Sequence, residues 1–176
     1  MSSSPPPRTA EAPHTEAPRN ESAPRPALDR VDVRGPRFVA WVTTAVLVLV
    51  LIAAAVSPGP ATALIAVQAL VFAVGALVGP RRHPYGLIYG KFVAPRLGPV
   101  AETEPTPPLR FAQLLGFVFA AVSLLGFALG STVVGAVFAG FALFAAFLNA
   151  AFGICLGCRI YPLVARFRPA GSPASN

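Results

Sequence analysis

The sequence predicts an all-α integral membrane protein: a four-helix bundle of two like-oriented helical hairpins, with both termini cytoplasmic. Three observations carry this expectation. First, 55% of the 176 residues are apolar and only 12% charged, which leaves too little polar surface for a soluble domain. Second, the 14 basic and 7 acidic residues all fall within residues 1–37, Arg81–Arg110 and Arg159–Arg168. Third, the uncharged runs between those segments divide into Phe38–Val56, Ala61–Val78, Phe111–Leu129 and Val133–Phe152. Each is close to the roughly 18–20 residues needed to cross a bilayer core of about 30 Å.

Residues 1–30 combine Pro5–Pro7, Pro13, Pro18, Pro24 and Pro26 with scattered charges. Such a composition cannot bury enough apolar surface to offset chain entropy, so a disordered, Pro-rich tail is expected. It lacks the basic-then-apolar pattern of a cleaved signal, which leaves insertion to the first span. The membrane domain is expected over residues 31–168, with a flexible C-terminus over 169–176.

Pro36 and Arg37 suit the entry to the first span, and Trp41 lies where an indole reaches the headgroups. Ser57-Pro58-Gly59-Pro60 should form the tight turn of the first hairpin. In the second span Gln68 needs a hydrogen-bond partner inside the bundle, and Asn149 in the fourth is similar. The central loop begins with Tyr85–Val93, whose mixed aromatic, aliphatic and basic residues suit an interfacial element. It continues through Glu102–Pro108 as an expected solvated connection. Gly126 and Gly130, and the Ala142, Ala146 and Ala150 stripe, provide small residues for close helix contacts within the bundle.

Topology follows from the basic residues. The short hairpin turns Ser57–Pro60 and Gly130–Thr132 carry no charge, while both termini and the central loop are basic. The positive-inside bias therefore predicts a multi-pass protein of the cell membrane with those three segments cytoplasmic. The same bias accounts for the net charge of +7 without nucleic acid, and the expected partner is the lipid bilayer.

The hairpins resemble copies of one unit. Arg37-Phe38 and Arg110-Phe111 open the first and third spans, and Ile88-Tyr89 and Ile160-Tyr161 follow the second and fourth. These matches lie roughly 72 residues apart, as expected of a parallel repeat about an axis along the membrane normal.

Chemistry concentrates at Cys155-Leu156-Gly157-Cys158, a C-x-x-C that uses both cysteines of the chain. The spacing suits thiol redox, sulfur or metal chemistry, while two small apolar side chains packed at a helix end would look the same. On the cytoplasmic side a resting dithiol is expected. As the exit of the fourth span, the pair would lie at the negative end of that helix, which opposes thiolate formation, whereas Arg159 favours it. Either cysteine can be the attacking thiol. The repeat matches Cys155 to His83, which would then face the same vestibule as a proton partner or third metal ligand. If a metal is bound, Cys155, Cys158 and His83 are its candidate ligands. No carboxylate lies within a span, no histidine pair is placed to hold haem, and no phosphate-binding loop is present. No cofactor is evident.

The segments Val31–Phe38, Pro108–Gln113 and Phe152–Tyr161, the last containing the Cys-x-Gly-Cys ending, resemble the bacterial domain-of-unknown-function family 4395 over about residues 30–168. The resemblance implies a membrane location and importance for Cys155 and Cys158. Members of that family often neighbour thioredoxin-like and sulfurtransferase genes, which implies a cytoplasmic partner of one of those kinds. It implies no particular reaction, and it leaves a structural or scaffolding role and small-solute transport open beside thiol or persulfide exchange.

Overall fold

The computed structural model describes residues 30–166. The expected Pro-rich tail up to residue 29 and the C-terminus from residue 167 lie outside the described residues. In chain order the elements are β1 (Arg30–Asp32), α1 (Arg34–Val56), α2 (Pro58–Val78) and α3 (Pro84–Ile88). One turn of π-helix at Tyr89–Val93 and one of 3-10 helix at Ala94–Arg96 follow, then β2 (Thr103–Pro105), α4 (Thr106–Ala128), α5 (Thr132–Phe152) and α6 (Leu156–Arg166).

Helices α1, α2, α4 and α5 contain 23, 21, 23 and 21 residues and are long and apolar enough to cross a membrane. At a rise of about 1.5 Å per residue they match a hydrocarbon core of about 30 Å. The protein is thus an all-α membrane bundle. Side chains such as Leu49, Ile52, Leu70 and Phe144 point outward, as expected where lipid is the solvent. The interior is built from Leu47, Val50, Ala61, Ile65, Ala120 and Ala139, none with exposed surface.

The four long helices form a ring in which α1 touches α2 and α5, and α4 touches α2 and α5. A pseudo-twofold exchange of the hairpins maps each of these contacts onto another. The segments after each hairpin obey the same exchange: α3 packs on α1, and α6 packs on α4. The Phe38 and Tyr89 rings lie 5.7 Å apart, and their repeat counterparts Phe111 and Tyr161 lie 5.9 Å apart.

Three local features differ from the sequence reading. The first hairpin turns on Ser57 alone, because Pro58, Gly59 and Pro60 form the first turn of α2; proline is well suited there, where its missing N–H would have had no partner. Gly130 belongs to a turn rather than a packing stripe. It takes a φ of 81°, and the Ser131 and Gly130 amides donate to the Gly126 and Phe127 carbonyls at 2.8 and 3.2 Å, a Schellman closure of α4. Gly126 instead meets the Gly135 backbone of α5. Finally, Glu102–Pro108 is exposed only at its start, at Glu102 and Thr103, and is ordered rather than a plain solvated connection. Its Thr103–Pro105 strand pairs antiparallel with Arg30–Asp32, and Thr106–Pro108 begin α4. The alanine stripe behaves as expected, with Ala142 and Ala150 buried inside the bundle.

Candidate functional site

At the end of α5, Gly153 adopts a left-handed conformation with φ 68°, a geometry costly for any residue with a Cβ. The chain turns there, and α6 begins at Leu156. Cys155 therefore occupies the position just before a new helix rather than the last turn of the old one. Two bonds define the cap: the Arg159 amide donates to the Cys155 carbonyl at 3.1 Å, and the Cys158 amide donates to Cys155 Sγ at 3.3 Å.

This placement reverses the electrostatic expectation for the pair. Cys155 faces the positive end of α6, where exposed amides and the helix dipole favour a thiolate. The sequence reading fails here because it treats the fourth span as the helix that ends at the cysteines, whereas Gly153 separates the two helices. Arg159 is exposed and contributes its backbone to the cap. Among the described residues, no hydrogen bond joins its side chain to either sulfur.

Cys155 and Cys158 form a disulfide with a Cα–Cα separation of 5.2 Å, in place of the expected dithiol. The separation lies within the usual range for such a bridge. Gly157, between them, makes the necessary helix contact. A Cβ there would lie 2.6 Å from Ala112 Cα, so α6 crosses the α4 backbone more closely than any larger residue allows.

Inward of the pair lies a cavity of about 90 Å³ whose wall includes Thr43, His83, Gln113, Asn149 and Cys155. Phe72, Phe119 and Ala146 supply part of its apolar lining. That volume holds a few waters or a very small solute.

His83 has no exposed surface, and neither ring nitrogen has a hydrogen-bond partner. Burial lowers its pKa from 6.5 to about 4, so the imidazole is neutral at neutral pH. A neutral ring can accept or donate a hydrogen bond in the cavity, but it does not offer a thiolate a positive charge. Its ring meets Tyr85 edge-on, with centroids 6.0 Å apart. The Tyr85 hydroxyl in turn donates to Gln68 Oε1 at 2.9 Å. The Gln68 amide oxygen thus finds its partner in the central loop rather than in another span, while its Nε2 is buried without a hydrogen-bond partner. Tyr85 accordingly turns into the bundle, while Leu87, Ile88 and Phe92 remain exposed, as expected of an interfacial element.

The predicted correspondence between His83 and Cys155 extends to the backbone. His83 is the N-cap of α3, and its carbonyl accepts from the Leu87 amide at 3.0 Å. Cys155 accepts from Arg159 in the same four-residue step before α6. The fold brings both residues to one cavity, together with Gln113, which sequence reasoning missed as a site residue. Its signal was a lone amide near the start of an apolar run.

The third-ligand role for His83 is not supported. Among the described residues no three His, Cys, Asp or Glu side chains form a group that could hold a metal ion. Each sulfur of the pair is instead bonded to the other.

A family model described as a domain of unknown function (DUF4395) matches residues 31–166. No curated protein and no solved structure matches the chain.

Proposed function

The chain belongs to the DUF4395 family, whose description assigns no reaction, and from the chemistry of the site we propose that it is a thiol–disulfide exchange protein of the cell membrane. Its charged face, termini and cysteine pair face the cytoplasm. The reading rests on one observation: Cys155 caps α6 and accepts the Cys158 amide on its sulfur, which makes it the better thiolate of the pair.

In the reduced state the Cys155 thiolate attacks a disulfide on a cytoplasmic thioredoxin-like or sulfurtransferase partner. A mixed disulfide forms and one partner thiolate leaves. The Cys158 thiol then loses its proton to solvent and attacks Cys155 Sγ, expelling Cys155 from the partner by forming the Cys155–Cys158 bridge. The second partner thiolate leaves with the electron pair of the broken bond. Two electrons pass from the pair to the partner, and the reverse sequence reduces the pair. A persulfide on the partner can replace its disulfide, with hydrosulfide as the leaving group.

Two-stage alkylation of thiols trapped in cells tests this. A Cys155–Cys158 bridge that opens and closes with cellular redox state supports exchange. Thiols that stay inert under oxidants and sulfur donors overturn it, and a phenotype unchanged by replacement of both cysteines with serine points to a structural protein.

A further inference from the structure

A second, larger cavity of about 1060 Å³ opens between the end of α2, the start of α4 and α6. Its wall carries Arg81, Arg82 and Arg110, opposed by Phe111, Tyr161 and Val164. No carboxylate is among the described residues that line it. We propose that this groove is a binding site for an acidic phospholipid, with the anionic headgroup held by the arginines and the upper acyl chains against the apolar wall.

Position, charge and an unsatisfied donor favour this occupant. The groove spans the point where uncharged α2 ends at Val78 and Arg81-Arg82 begin, the level at which a bilayer changes from hydrocarbon to headgroup. Basic pockets between helices at that level complement acidic headgroups. Arg110 donates through Nε to the Ala76 carbonyl at 3.0 Å and through Nη2 to Leu77. Those bonds fix the guanidinium at the end of α2 while using only part of its donor set. Arg81 donates to the Arg30 carbonyl, so β1 helps hold the basic rim. Thr106 is 8% exposed and lines the groove, and its Oγ1 has no partner. That oxygen is itself buried, so a turn of the Thr106 side chain toward the groove brings its hydroxyl within reach of a phosphate oxygen. The volume exceeds what a bare phosphate needs and is at the upper end of typical small-molecule sites.

The test is lipid binding to the full chain in detergent, measured by native mass spectrometry, with phosphatidylglycerol and phosphatidylcholine of identical acyl chains. Glycerol phosphate is the competitor that represents a soluble anion. Phosphatidylglycerol should bind at least about fivefold more tightly, and Arg82→Gln should weaken it about fivefold, as expected for one surface cation near an acidic lipid. Thr106→Val should weaken it with the thermal midpoint in phosphatidylcholine unchanged, and Arg82→Lys should restore most of the Arg82→Gln loss. Equal affinity for the two lipids overturns the proposal, as does binding unaffected by both Arg82→Gln and Thr106→Val. Displacement by glycerol phosphate at equal concentration overturns the lipid assignment in favour of a soluble anion.

Discussion

The Cys158 backbone amide donates to the sulfur of Cys155 over 3.3 Å, so the first cysteine of the pair is also the cap of α6. This ties the reactivity of one sulfur to the backbone position of the other. It also separates two thiols that are indistinguishable by spacing.

In the reduced protein Cys155 should react faster than Cys158. A helix N-terminus typically contributes 0.3–1 kcal/mol to a nearby anion, or about two- to fivefold in thiolate population. Alkylation of single-cysteine variants between pH 5 and 9 measures it. The Cys158→Ser protein should also accumulate a mixed disulfide on Cys155, while Cys155→Ser should not. Equal alkylation rates would remove the cap from the mechanism.

Acid should destabilise the fold through His83. Its pKa is about 4 when folded against 6.5 for an ordinary histidine, so the unfolded chain takes up a proton first as pH falls. The contribution is fully present above pH 6.5 and is lost on the way down to about 4, at about 1.4 kcal/mol per pH unit. Glu104 is shifted upward by burial and acts in the opposite sense, gaining stability as it protonates. Comparing thermal midpoints of wild type and His83→Gln at pH 7.5 and 4.5 isolates the histidine. On going from pH 7.5 to 4.5 the variant should lose less stability than wild type, the Glu104 trend being common to both.

Glycine substitutions should separate crowded from open sites. Gly157→Ala places a methyl against the Ala112 backbone and should cost about 1–3 kcal/mol, disturbing α6 and hence the cap. Gly86→Ala would meet the Pro80 carbonyl and should be at least as harmful. Gly140, with nothing within 4 Å of its Cβ position, is the control, and Gly140→Ala should be neutral or slightly stabilising. Thermal midpoints in detergent give the ranking.

Tyr85→Phe should cost about 1 kcal/mol by removing the partner of a buried amide oxygen. Adding Gln68→Leu should recover much of that loss, because no polar group is then left unpaired. A double-mutant cycle reads the coupling. Strict additivity would show that the hydrogen bond of 2.9 Å contributes nothing.

Topology is testable at the two hairpin tips. In a cysteine-free background, Ser57→Cys and Ser131→Cys should label with an impermeant maleimide from outside intact cells. A cysteine placed at Gly98 should label only after permeabilisation. Labelling of Gly98→Cys from outside would invert the proposed orientation.

The sequence by itself determined the four spans, the absence of charge between the segments that connect the hairpins, and the repeat. Those properties follow from charge-free length and from spacing along the chain. It also pointed to the relation between His83 and Cys155, because equivalent positions in two like-oriented hairpins reach the same depth in the membrane; that they meet at one cavity is a property of the packing. Only tertiary structure decided which helix the cysteines belong to, since that depends on the left-handed turn at Gly153 and on α6 crossing α4 at Gly157. The pairing of Arg30–Asp32 with Thr103–Pro105 was hidden for a similar reason: neither segment has a strand pattern alone, and each supplies the other's backbone partners. Tyr85 likewise reads as an interfacial aromatic until the fold turns it toward Gln68. Hydrophobic length fixes how many times a chain crosses the membrane, while close backbone contacts and buried polar pairs fix where its few reactive groups meet.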